Sequence, residues 1–279
     1  MTPPVSICIP LFNAEEHIAE TLESAFAQSF ENIEVIVVDN ASTDRSVEIV
    51  RSFDDERLTL HQNDENIGAE RNFNRALGLA RGDFVKLLCS DDVLFTDCIS
   101  RQHAVLDRPE SSGITLVSAA REVIDSRGTV VVRKRGGGGQ AGRIIGARAV
   151  KRCIRHGRNF IGEPSSVLMR RDVALNVGGF RSHLPYVTDL DLWFRLLSHG
   201  DLFFIPDPLT QFRVRLDSVS AQLARVQAAQ SRAFIRRMGG AHNASRLDVA
   251  LGSANLTVQT HARRVMYTWL GRRATRQRT

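Results

Sequence analysis

A chain of 279 residues, 43% apolar and with its apolar residues evenly spread, has room for one large folded core with additions. No stretch of about 18 apolar residues and no basic-then-apolar leader occurs, so a spanning helix is excluded and a cytoplasmic location is expected. The charge of +6 is uneven: residues 221–279 hold eleven arginines and one acid, Asp248, a net of +10, which leaves −4 for the first 220. Cys8, Cys89, Cys98 and Cys153 have no CxxC spacing and read as free thiols, with Cys8 inside a buried strand.

Val5 to Ile9 is a β-rich run closed by Pro10. From Asn13 to Gln28, apolar Ile18, Leu22, Ala25 and Phe26 mark one face of a helix that Asn13 can cap, with Glu15 and Glu16 suited to its first turn. Val35 to Val38 is a continuous apolar run, as in a strand covered on both faces, and it ends in Asp39-Asn40. A further helix follows to Ser52, then a strand over Arg57 to Leu60, a helix over Gly68 to Ala80, and a strand over Phe84 to Leu88 that runs into Cys89-Ser90-Asp91-Asp92. This alternation predicts a parallel sheet with helices on both sides.

Beyond a helix over Thr96 to Leu106 the pattern turns antiparallel, with short strands at Ile114 to Ser118, Glu122 to Ile124 and Thr129 to Val132, the last two forming a hairpin. Arg133 to Gly142 has no apolar periodicity and reads as a mobile loop; its four glycines lack the frame of a phosphate-binding P-loop. Next come a basic helix at Ile144 to His156, a strand at Ser165 to Met169, and a short helix stopped by Gly178-Gly179. A helix starting near Thr188 buries Leu192, Trp193, Leu196 and Leu197 and sets Asp189 at its amino end. Strands at Leu202 to Ile205 and Thr210 to Val214 precede helices at Ala221 to Met238, Arg246 to Leu251 and Val258 to Leu270.

Three acidic points thus stand at the ends of apolar elements: Asp39, the Asp91-Asp92 pair, and Asp189 with Asp191. In a parallel sheet Asp39 and Asp91 open onto the same edge, where ligands of such folds bind. Carboxylates gathered there repel unless a positive group lies between them, and a divalent cation on a diphosphate is one solution. Taken singly, Asp39-Asn40 also reads as a turn and Ser90-Asp91 as a helix cap; it is their joint placement that points to a site.

The segments VSICIPLFNAEEHIAETLESAFAQSFENIEVIVVDNASTD, NIGAERNFNRALGLARGDFVKLLCSDD and GGFRSHLPYVTDLDLWFRL closely resemble the family 2 glycosyltransferases over roughly residues 4 to 220. The resemblance implies an α/β GT-A fold: one Rossmann-like domain with a mostly parallel central sheet, a small antiparallel addition and C-terminal helices. Residues 1–110 would form its nucleotide-binding half, 111–220 its acceptor-binding half and 221–279 a basic helical extension. It further implies an inverting, metal-dependent transfer of a sugar from a nucleoside diphosphate, with a UDP-sugar favoured. The hydroxyl acceptor would be a glycan or polyprenyl-linked glycan of envelope polysaccharide synthesis.

On the family pattern Asp39 would bind the donor base, the Pro10-Leu11-Phe12-Asn13 loop would line the nucleoside pocket, and Arg71 would approach base and diphosphate. Asp91 would hold Mn²⁺ or Mg²⁺, Asp92 would orient it or meet the sugar, and Asp189 would be the general base; Asp191 is structural or a second-layer support. Three departures stand out. Cys89 occupies the place of the first D-x-D aspartate. Thr188 replaces the glutamate beside the base, which removes a negative charge and lowers the expected pKa of Asp189 relative to the usual pair. Arg215 ends FRVR where relatives carry a histidine; it cannot ligate metal but can neutralise phosphate, and it also reads as a surface arginine at a strand end.

The basic tail, with Tyr267 and Trp269 among its arginines, has the composition of a segment lying on anionic lipid, consistent with a peripheral place on the inner face of the membrane; a solvated end of a packing helix is the other reading. Nucleic acid is not expected as a partner, since the core is net negative and no helix-turn-helix or zinc pattern occurs. A nucleotidyltransferase or NAD dehydrogenase would need a glycine-rich loop after the first strand, where PLFNAEE stands. The non-catalytic alternative is a nucleotide-sugar-binding scaffold with a degraded GT-A site.

Overall fold

The computed structural model describes residues 4–181, 185–215, 227–242 and 244–256. Its first half alternates β1 (Val5–Leu11), α1 (Ile18–Phe26), β2 (Ile33–Asp39), α2 (Ser46–Arg51), β3 (Leu58–Gln62), α3 (Ala69–Leu79) and β4 (Phe84–Leu87). The second half holds β5 (Val93–Leu94), α4 (Cys98–Leu106), β6 (Ile114–Ile124), β7 (Val130–Arg135), β8 (Gly142–Ile144), α5 (Gly146–His156), β9 (Val167–Arg170), α6 (Arg171–Asn176), α7 (Thr188–Leu196), β10 (Asp201–Arg213), α8 (Gln227–Ala241) and a helix over 246–256, α9.

One mixed sheet runs in the order β3-β2-β1-β4-β9-β6-β10-β5, with β7 added to β6 and β8 to β10. The β3-β2-β1-β4 block is parallel, as the alternation predicts. Leu11 pairs with Asp39 and Cys8 with Leu87, so β1, β2 and β4 open toward the same edge. Every residue of β1 and β2 is buried, because helices cover both faces of the sheet. Cys8, Ile36 and Val38 face the layer of α3, α5, α7 and α8, while Ile7, Ile9, Val35 and Val37 face α1, α2 and α4.

Antiparallel pairing enters through β9, which lies between β4 and β6 rather than at the margin. The short strands expected after residue 110 join into longer ones: β6 spans two of them and β10 spans two more, with register shifts near Pro208 absorbing the break. Pro10 lies inside β1, paired with Val38, and not in the following loop. The first helix begins at Ile18, because Asn13 and Ala14 are held by the neighbouring β2–α2 loop.

The glycine run also differs from the expected mobile loop. Here β7 continues to Arg135, Gly137 donates to the Phe160 carbonyl at 3.0 Å, and β8 pairs with β10. A Cβ on Gly137 would enter the Phe204 ring, so the glycines permit close packing and the positive φ angles of this turn. All four cysteines are free, Cys89 being half-buried and the others buried.

Phe234, Ile235, Met238 and Leu256 carry α8 and α9 into the core that α7 and α5 share. The expected helix at Val258 to Leu270 lies outside the described residues. At the α5–α9 crossing, a Cβ on Gly252 would fall on the Ile154 carbonyl. Gly252→Ala is expected to cost about 1–3 kcal/mol in urea denaturation, the range for overpacking a close contact.

Candidate active site

The β1–α1 and β2–α2 loops cap each other across the sheet edge. Asn13, at φ 47°, accepts the Thr43 amide on its side chain at 2.8 Å, and its own amide donates to Ser42 Oγ. The Ala14 amide donates to Ser46 Oγ, the Glu15 amide to Asp44, and the Arg45 amide to Glu15. Asn13 therefore caps the neighbouring loop instead of its own helix, and Glu15 has a structural partner. Phe12 is left 45% exposed at the mouth of this edge.

Asp39 is buried, and both carboxylate oxygens receive the Ser42 amide, at 3.2 and 3.3 Å. Its remaining lone pairs can still accept a ligand N–H. Beneath it lies an amide network that the sequence reading did not identify. Asn40 accepts from Asn63 and the Ile67 amide, Asn63 donates to Asn72, and Asn72 donates to the Val38 carbonyl at 2.9 Å. Arg75 donates to Asn63, while Arg71, one residue before the buried Asn72, is exposed on α3. The dense asparagine content of residues 63–74 was the available signal.

Asp91 and Asp92 point to different places. Asp92, expected to orient Asp91 or meet the sugar, is fully buried and accepts Ser165 Oγ at 2.5 Å and the Arg213 amide at 2.9 Å. Burial, then the Asp91 charge, pushes its pKa well up. It fixes the turn that carries Asp91. Arg213, also missed, is buried; it donates to the carbonyls of Asp91 and Asp125 and pairs with Glu20 at 2.5 Å. Arg215 lies 3.9 Å from the Asp91 carboxylate with its side chain 16% exposed, so it is not a surface arginine.

Asp189 lies at the start of α7 and lines a cavity of about 140 Å³ together with Arg135, Arg158, Asn159, Glu163 and Tyr186. Its carboxylate accepts the Leu190 amide at 2.7 Å and Asn159 Nδ2 at 3.2 Å. Burial, with the nearby Glu163 charge adding to it, lifts its pKa from 3.8 to about 7, against the backbone bonds and the Arg121 charge that lower it. Thr188 thus removes a neighbouring charge without leaving Asp189 an ordinary carboxylate. Asp191 is buried and turned away, paired with Arg195 at 2.8 Å, and Trp193 is a core residue.

Asp91, Asp92 and Asp189 converge near Cys89: burial first, and these three charges in addition, raise the Cys89 thiol well above its usual range. A protonated thiol is a poor metal ligand. Among the described residues no cluster of three His, Cys, Asp or Glu side chains could hold a metal. The carboxylate left to hold a metal beside Cys89, among the described residues, is Asp91, since Asp92 is sealed against Ser165 and Asp39 lies at the end of β2. That fits Mg²⁺ or Mn²⁺ bound through one carboxylate and substrate phosphates, and does not fit a cage made by protein alone.

The model of Glycosyl transferase family 2 matches residues 6–129. An uncharacterised Mycobacterium tuberculosis protein, MT1568, is 30% identical over 242 residues, which cover 84% of this chain and 74% of that one. Among solved structures, S. aureus TarS 1–349 in complex with UDP-GlcNAc superposes with a TM-score of 0.65 at 20% identity, over 82% of this chain and 66% of that chain. The mannosyltransferase PcManGT of Pyrobaculum calidifontis, in complex with GDP-Man and Mn²⁺, gives 0.62 at 19% identity, over 97% and 81%. The likeness to both structures is one of fold.

Because Asp189 binds its proton more tightly in the folded protein than in the unfolded chain, its contribution to stability is full below about pH 4 and lost as pH rises through about 7. Asn at this position cannot ionise. Urea denaturation should therefore show D189N gaining stability relative to wild type between pH 5 and pH 8; a constant difference would contradict the raised pKa.

Proposed function

Because this chain belongs to glycosyl transferase family 2 and has the GT-A fold, we propose that it transfers a sugar, with inversion, from a nucleoside-diphosphate sugar to a hydroxyl of a glycan or lipid-linked glycan. The observation that carries this reading is Asp189: a carboxylate lining a cavity, with a pKa of about 7, in the neighbourhood of Asp91. A base with that proton affinity is matched to work near neutral pH.

In this scheme Asp189 takes the proton of the acceptor hydroxyl as its oxygen forms a bond to the anomeric carbon. The bond from that carbon to the diphosphate oxygen breaks on the opposite face, and the diphosphate leaves with the electron pair. Asp39 receives an N–H of the base, with uracil favoured, and Phe12 and Asn13 border the nucleoside. Arg71, exposed on α3, reaches toward the diphosphate, and Arg215 adds positive charge beside Asp91. When bound, a divalent cation held by Asp91 would stabilise charge on the leaving diphosphate. The Mn²⁺ in the mannosyltransferase complex supports that role for the fold.

No helix of the described residues is long and apolar enough to cross a membrane. The arginine-rich residues 257–279 are proposed to rest on the anionic inner face, which would bring a lipid-linked acceptor within reach.

Thermal-shift titration with UDP, GDP, dTDP, CDP and ADP, each with and without Mn²⁺, tests the donor assignment. A shift for UDP that requires Mn²⁺ and disappears in D91A is expected; a folded protein that answers to none of them overturns it. With the donor named, D189N should lower turnover by about 10²–10⁴-fold while leaving the nucleotide shift intact.

A further inference from the structure

The segment 159–163 is built onto the start of α7 at two points. Asn159 Nδ2 donates both to Asp189, at 3.2 Å, and to the Gly162 carbonyl, at 3.0 Å, while its Oδ1 accepts the amides of Ile161 and Gly162. One turn along α7, Trp193 Nε1 donates to the same Gly162 carbonyl at 3.0 Å. With both ends of its amide engaged, Asn159 has one orientation available, and so has the carboxylate it touches. The next residue after Gly162 is Glu163, which pairs with Arg121, a fully buried arginine of β6, and lies 3.9 Å from Arg135 of β7.

Glu163 and Asp189 line the same cavity. A buried arginine cannot give up its proton, so the Arg121 charge keeps Glu163 ionised in that cavity. The consequence bears on Thr188, where the chain lacks the acid expected next to its base. We propose that Asn159 and Glu163 are positioning residues for Asp189: Asn159 fixes the orientation of its carboxylate, and Glu163, anchored on Arg121, supplies from another element the negative charge that position 188 lacks. The proposal rests on the reading of Asp189 as the base.

The proton affinities are consistent with this division. Burial alone would raise Glu163, but Arg121 and Arg135 outweigh it and bring its pKa down to about 2, while Asp189 is raised to about 7. Two carboxyl groups of one cavity whose environments drive their pKa values apart are suited to different tasks, one a fixed charge and the other a proton acceptor. Among the described residues, the charged and titratable groups around Asp189 are Glu163 from the segment before β9, Arg121 of β6, Arg135 of β7, Cys153 of α5, Arg158 after α5, Tyr186 before α7, and Cys89 after β4. From α8, Gln227 and Ser231 line the cavity without charge.

The test is a carboxyl ¹³C NMR titration of aspartate-labelled full-length protein, with the Asp189 signal assigned by its loss in D189N. In E163Q the Asp189 midpoint should fall by about one pH unit, since a like charge is removed. In E163D, which keeps the charge on Arg121, it should stay near the wild-type value. In N159L it should rise, because a hydrogen bond to the ionised form is lost. A midpoint that is unmoved in folded E163Q overturns the role of Glu163. Should E163Q not fold, E163D and N159L decide: an E163D midpoint far from wild type, or no rise in N159L, overturns the proposal.

The pH dependence of kcat/KM, measured with the donor found by thermal shift, separates this from the assignment of the base. Its acid limb should move with the NMR midpoint in each variant. If the midpoint moves and the limb does not, the coupling between these residues stands and Asp189 as base falls.

Discussion

Parallel pairing of β1 with β2 on one side and β4 on the other brings their carboxyl ends to a common edge, and Asp39 and the turn of Asp91 are placed from that edge. The pairing is held by seven fully buried positions in each of β1 and β2, whose side chains alternate between two helical layers. A one-residue slip would turn every inward group to the other layer, so register is strongly specified. The loops beyond the edge then need little further ordering: they cap one another through Asn13, Ser42, Asp44 and Ser46.

The second half of the sheet solves a different problem, the gathering of charge in a buried place. Inserting β9 antiparallel between β4 and β6 brings Ser165 under Asp92 and Glu163 against Arg121. The buried ionisable groups there have partners: Asp92 has Ser165 and the Arg213 amide, Arg213 has Glu20, Asp191 has Arg195. Removing one member of such a set leaves the other uncompensated, which is the costly change, while the paired state itself adds little net stability. The sets serve mainly to fix position. Arg213 shows this most directly, joining α1, the turn of Asp91 and the hairpin at Asp125 through one side chain.

Much of the site was legible in the chain because its acids follow apolar runs. Asp39 after Val35 to Val38, Asp91 after Phe84 to Leu88 and Asp189 before an amphipathic helix can each be located by pattern alone, and so can the burial of Trp193 and the structural part of Asp191. The supporting groups were not. Asn159, Glu163 and Arg121 lie between the expected elements and Ser165 at the edge of one, while Asp189 is 30 residues from Asn159 and Asp92 is 73 from Ser165. The glycine run misled for a related reason: backbone freedom is visible in sequence, whereas the Phe204 ring that requires it is supplied by a strand far along the chain.

The sequence by itself determined the strand and helix alternation, the parallel first half, the family resemblance and the three acidic points, since each depends on local periodicity or on spacing along the chain. Only tertiary structure decided what those acids can do. Asp91 and Asp92 are adjacent in sequence and opposite in environment, one beside Arg215 at the edge and the other sealed against Ser165. The proton affinity of Asp189 is set by burial and by the Glu163 and Arg121 charges brought from other elements, and neither can be read from its neighbours in the chain.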